Sequence, residues 1–183
     1  MGDFFQIVID IEASLEESDN LASDIRQWLV DQKVVKAITK DCVLSETGIG
    51  YPPGPAYREV VDYDGFDVNR LSVNGLSIAV GRTVFGPGQG RLEKICPQCT
   101  ARTICDDEWF KAVSKWHQSE EPNALQCLNC GGIYPVTAWN TDPQWGFGNL
   151  GFVFWNWAPL KRDFVDEFAS RLGHHIIFMA NKL

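Results

Sequence analysis

Four of the six cysteines fall in two pairs, Cys96-Pro-Gln-Cys99 and Cys127-Leu-Asn-Cys130. Two CxxC knuckles can bring four thiolates to one point, and tetrahedral zinc takes four such soft donors with no position left open. The spacing predicts a closed, structural Zn2+ site with Cys96, Cys99, Cys127 and Cys130 as ligands. Glycine commonly follows a knuckle, because one residue there often needs positive φ. Gly131-Gly132 fits this pattern after the second pair, whereas Thr100 departs from it after the first. Cys42, in an apolar run, reads as a buried thiol, and Cys105 as a spare. A dithiol redox motif at Cys96-Pro-Gln-Cys99 would need an apolar strand before it and a helix starting at its first cysteine. Residues Gln89 to Lys94 make a poor buried strand, and the second pair downstream favours zinc.

The stretch between the knuckles, Thr100 to Gln126, is 27 residues long. Within it, Asp106 to Gln118 places Trp109, Phe110, Val113 and Trp116 near helical spacing behind leading acids. The two knuckles resemble a zinc ribbon, here elaborated by a helix. The chain as a whole resembles uncharacterised bacterial proteins, some of which carry a sugar-transporter ATPase label. A phosphate-binding loop needs GxxxxGK followed by Ser or Thr, and no segment matches. Gly86-Pro87-Gly88-Gln89-Gly90 reads as a turn or linker, so the residues give that label no support.

Catalytic constellations are thin. Neither GxSxG nor HExxH occurs. The three histidines are His117 and the adjacent His174 and His175, and neighbouring residues of a strand point to opposite faces. Asp10, Glu12 and Asp41 could form a carboxylate site across neighbouring strands. Asp62, Asp64 and Asp67 crowd one turn, as solvated acidic loops do. The expectation is a protein without a catalytic site.

At 183 residues and 45% hydrophobic, the chain can bury one substantial core plus a small module. No apolar run reaches the roughly 18 residues of a membrane span, and no basic segment precedes one as in a signal peptide. Thiols kept free for zinc suit a reducing compartment. A cytoplasmic protein is expected. The net charge is −8, and residues 1–59 hold 11 acids against 5 bases. Phosphate neutralisation supplies most nucleic-acid affinity, so nucleic-acid binding is disfavoured and a basic protein partner is accommodated more readily. Candidate partner-binding residues are Glu16, Glu17 and Asp24 on an acidic helix face. Tyr51 and Tyr57 join them, on a proline-stiffened loop for which a rigid crossover packed on the sheet is the favoured reading. The leading functional class is an adaptor or an inhibitor of the immunity type. A zinc-ribbon nucleic-acid or translation factor and an enzyme with a carboxylate site are the alternatives.

Strands and helices must position these residues. Phe5, Ile7, Ile9 and Ile11 alternate as one apolar strand face. Ser14 and Glu17 form a capping-box pattern ahead of a helix marked by Leu21, Ile25, Trp28 and Leu29. Val34 to Leu44 reads as a second strand, and Asn74-Gly75 as the turn of a hairpin. Phe152 to Trp157, a helix bearing Phe164, Phe168 and Leu172, a C′ glycine at Gly173 and a last strand from Ile176 repeat the grammar. Two βαβ-type units predict an α+β fold. It would be a two-layer α/β sandwich, ferredoxin-like in connectivity, with the elaborated zinc ribbon inserted. The expected divisions are residues 1–90 and 139–183 for the body and 91–138 for the insertion. The aromatic run Trp139, Trp145, Phe147, Phe152, Phe154, Trp155 and Trp157 reads as a strand buried on both faces, with an exposed groove as the alternative.

Overall fold

Phe4–Asp10 forms β1, and Ser18–Asp31 forms α1. The short strands β2 (Lys40–Asp41) and β3 (Ile49–Gly50) follow, and then the long β4 (Gly75–Phe85). β5 (Glu93–Ile95), β6 (Arg102–Ile104), α2 (Asp107–His117), β7 (Ala124–Gln126), β8 (Ile133–Pro135) and β9 (Asn140–Asp142) come next. β10 (Gly146–Trp155), α3 (Arg162–Leu172) and β11 (Ile176–Lys182) complete the chain. The structure, a computed structural model, describes residues 3–45, 47–62, 65, 71–86 and 91–182. Pro87 to Gly90 of the glycine-rich segment, and Asp64 and Asp67 of the acidic turn, lie outside the described residues.

The main sheet runs β11-β1-β10-β4. β1 is antiparallel to both neighbours, pairing Ile7 with Val153 on one side and with Met179 on the other. β10 and β11 therefore run parallel on either side of β1 and are joined by α3, a split βαβ unit. The order β1-α1-β4-β10-α3-β11 is the α+β, ferredoxin-like connectivity that the terminal elements predict. The residues divide into two compact units, 1–81 with 148–183, and 82–147. We call them the body and the module.

In the body, α1 and α3 bury Ile25, Trp28, Leu29, Phe164 and Phe168 with Val8, Leu150, Phe152 and Phe154 of the sheet. Trp28 stacks on Phe164 at 5.7 Å and meets Phe168 edge-on at 5.5 Å. Such rings add about 0.5–1.5 kcal/mol per pair beyond their buried area. Phe5, Ile7 and Trp155 lie buried on the other face of the sheet, where Phe5 and Trp155 are in ring contact. The aromatic run is thus core, with Trp145 alone only partly buried.

Three local expectations give way. Residues 34–44 supply no strand to the main sheet: Val35 bridges Pro53, and β2 pairs with β3 in a separate ribbon. The second strand of the first βαβ unit is β4 instead. Asn74-Gly75 is not a hairpin turn either. The Asn74 amide donates to the Leu71 carbonyl at 2.8 Å, and Gly75 opens β4. Glycine is needed at this position for close approach, since a Cβ would stand 2.6 Å from Cys42 Sγ and 3.1 Å from the Tyr51 carbonyl. Finally, a strand continued through Phe152 to Trp157 would put Trp155 and Trp157 on one face by alternation, and Trp157 does not share that face. Asn156 takes φ +56, a left-handed conformation that asparagine tolerates better than most residues. The chain turns there, and Trp157 packs on Phe154 and Tyr57. The Asn156 side chain ties the turn down, accepting from Phe4 N and donating to the Val73 carbonyl.

Candidate metal centre

Both knuckles are the turns of β-hairpins. β5 and β6 are antiparallel with Ile95 opposite Arg102, which puts Cys96 and Cys99 in the turn. β7 and β8 pair Gln126 with Ile133 around Cys127 and Cys130. The same two backbone bonds close each turn. Cys96 N donates to Ala101 O and Thr100 N to Cys96 O; Cys127 N donates to Gly132 O and Gly131 N to Cys127 O. The residue after each second cysteine is left-handed, Thr100 at φ +57 and Gly131 at φ +75. The first knuckle departs from the glycine pattern in sequence but not in conformation, so Thr100 holds a shape disfavoured for a β-branched residue.

The four sulfurs lie within 4.8 Å of one another. Cys96 and Cys130 Sγ are 3.8 Å apart, and Cys99 and Cys127 Sγ 3.6 Å. A tetrahedral zinc with bonds of about 2.3 Å requires sulfur separations of about 3.8 Å, so the cluster fits such an ion. The surroundings favour thiolate at two of the four. Backbone N–H of Ala101, with the Asn129 amide 3.4 Å from its sulfur, brings the Cys99 thiol down to about 6. The backbone N–H of Cys130 lowers Cys127. Burial instead pushes Cys96 up to about 11, a proton that a bound cation would displace. Burial, and then the nearby Cys130 sulfur, raises Tyr134. Cys42 and Cys105 stand outside the cluster, and burial raises both thiols, Cys105 to about 11.

A small core backs the knuckles, with Trp109, Ala112, Leu125, Val136, Trp139 and Phe147 packed beside Cys96 and Cys127. α2 follows its sequence signals closely. Asp106 caps it, its carboxylate accepting from Trp109 N at 3.1 Å, and Asp107 and Glu108 fill the first turn. Ala112 rather than Phe110 faces inward, and Phe110 is half exposed.

The remaining candidates are scattered. Glu16 and Asp24 are exposed, and Glu17 accepts from Ser14 N at 2.7 Å in the capping-box turn. Tyr51 is partly buried, its backbone bridged to Leu76, and Tyr57 is a core residue. Asp10, Glu12 and Asp41 do not converge, because Asp41 belongs to the β2–β3 ribbon. Asp10 and Glu12 each meet a histidine. The fully buried Asp10 accepts from Glu12 N and Ala13 N through Oδ1 and lies 2.8 Å from His174 Nδ1 through Oδ2. Glu12 accepts from His175 N and lies 2.7 Å from its Nδ1. The bond to Asp10 raises His174, and the His175 backbone N–H lowers Glu12. The two histidines do meet different carboxylates, but neither lies in a strand, since β11 begins at Ile176, so strand alternation does not account for these pairs. His174 and His175 sit in the turn after Gly173, which caps α3 at φ +73. Lys94, buried in the module against Asp106, carried no sequence signal beyond its place before the first knuckle.

No family model, curated protein or solved structure matches the chain.

Proposed function

We propose that this chain is a non-catalytic zinc protein that acts by binding another protein, as an adaptor or an inhibitor of the immunity type. One zinc held by Cys96, Cys99, Cys127 and Cys130 would stabilise the module. The mutual distances of the four sulfurs carry this reading. A set of four thiolates closes the ion's coordination and leaves no place for substrate or water, so the metal's contribution is folding free energy. Glu16, Asp19 and Asp24 are exposed on the acidic segment and make no ion pair among the described residues. Unpaired acids of one sign steer a basic partner and repel phosphate backbones. No helix among the described residues is long and apolar enough to cross a membrane, and we place the protein in the cytoplasm because its thiols must stay reduced to hold zinc.

Elemental analysis of the isolated protein should find about one zinc per chain. A folded, metal-free protein would end the zinc reading. For the partner, a pull-down followed by affinity measured against ionic strength is the test. Affinity should fall with salt and with charge reversal at Glu16, Glu17 and Asp24. Binding indifferent to both would remove this surface from the interface.

A further inference from the structure

Beside the second knuckle the module holds a cleft of about 330 Å³, a size that suits a single small ring or branched group. Its lining is mainly apolar, with Ala101, Leu125 and Trp139 among the contributors. Into it comes Lys94, whose side chain is only 10% exposed. Lys94 is the middle residue of a three-stranded sheet, opposite Thr103 on β6 and Thr141 on β9. Directly opposed residues share a face, and Thr103 also lines the cleft.

A buried ammonium has three N–H groups to satisfy. Among the described residues, Lys94 Nζ has one hydrogen-bond acceptor, Asp106 Oδ1 at 2.8 Å. Asp106 is itself held by capping α2, and Lys94 keeps its carboxyl below the usual range. Lysine is almost never fully buried unless paired, and here the single pairing with Asp106 leaves two of the three donors without a protein acceptor among the described residues. An ammonium with spare donors, set among apolar walls and beside a threonine hydroxyl, is the arrangement of a binding site: a few placed polar groups fix orientation and the apolar area supplies affinity.

The charges choose the ligand class. Asp106 already balances Lys94, and Glu108, on the lining as well, is itself paired with Lys111 at 2.9 Å, so an anionic ligand would meet carboxylates and no unbalanced positive charge. A neutral carbonyl accepts from the ammonium without that repulsion. We infer that this cleft binds a small uncharged molecule with an apolar body and a carbonyl or amide oxygen, the oxygen accepting from Lys94 Nζ and the body resting on Trp139 and Leu125. The site lies wholly within the module and is independent of the partner surface proposed above.

Titration of the full chain, as isolated, with benzamide, benzoate and toluene tests the assignment by amide and indole NMR shifts. Benzamide should saturate and move Ala101, Thr103, Leu125 and the Trp139 indole. Toluene, which lacks the acceptor, and benzoate, which carries the charge, should each bind about tenfold more weakly or not at all. Lys94→Met should weaken benzamide about tenfold, and Lys94→Arg, which keeps the donors, should retain most of the binding. The ligand series needs no variant, so it decides even if Lys94→Met unfolds. No saturable shift at these residues, toluene equal to benzamide, or benzoate preferred would each overturn the inference.

Discussion

Thr100 and Gly131 occupy equivalent positions in the two knuckles and share a left-handed backbone, at φ +57 and +75. Their exchange predicts opposite effects. For a residue with a Cβ this conformation costs about 1–2 kcal/mol, and Thr100→Gly removes that strain. The glycine also loses more freedom on folding, about 0.5–1 kcal/mol. The difference is a gain of about 0.5–1 kcal/mol, slightly reduced by loss of the exposed bond from Thr100 Oγ1 to the Cys99 carbonyl at 2.7 Å. Gly131→Ala runs the same terms in reverse. Nothing lies within 4 Å of a Cβ at Gly131, so strain alone acts there and the variant should lose about the same amount. Because the knuckle must hold this shape to bind metal, the change should reach zinc affinity as a factor of about two to five. Competition with a chromophoric chelator measures it, with thermal melts as a second readout. Weaker zinc binding in Thr100→Gly, or no loss in Gly131→Ala, would refute the view that backbone strain separates the two knuckles.

Other substitutions probe the ligands, the body and its charges. Serine at any one of the four clustered cysteines should release zinc and raise hydrogen exchange across the module while β1 and β11 stay protected; serine at Cys42 or Cys105 should leave zinc in place. Gln6 is buried and bonds Leu160 N at 2.7 Å and the Ala158 carbonyl at 3.0 Å. Gln6→Leu strands these groups, and urea unfolding should show a loss of about 2–4 kcal/mol. Since the bond to Asp10 raises the His174 pKa, its stabilisation is complete below the unfolded value of about 6.5 and fades as pH climbs through the raised folded value. Unfolding followed from pH 5 to 9 should show that decline, and His174→Gln should flatten it; an unchanged profile in the variant would assign it elsewhere.

The knuckles, α2 with its Asp106 cap, and α3 with its Gly173 stop were legible because each depends on residues close in the chain. Sulfur spacing, capping and helical periodicity are local physics. The partner of β1 and α1 was not legible, because β4 reaches the sheet beside β10 across a long separation, and Val34 to Leu44 has as much apolar character as a strand needs. Asn74-Gly75 carries the composition of a turn. Whether its glycine serves a turn or a close approach depends on Cys42 and Tyr51, which only folding brings near. Trp157 is reassigned by one left-handed residue, Asn156, whose conformation is held by Phe4 and Val73. The charge pairs Asp10 with His174 and Lys94 with Asp106 likewise exist only in three dimensions. A buried charge persists where a distant group meets it, and a sequence read along its length contains no distances between strands.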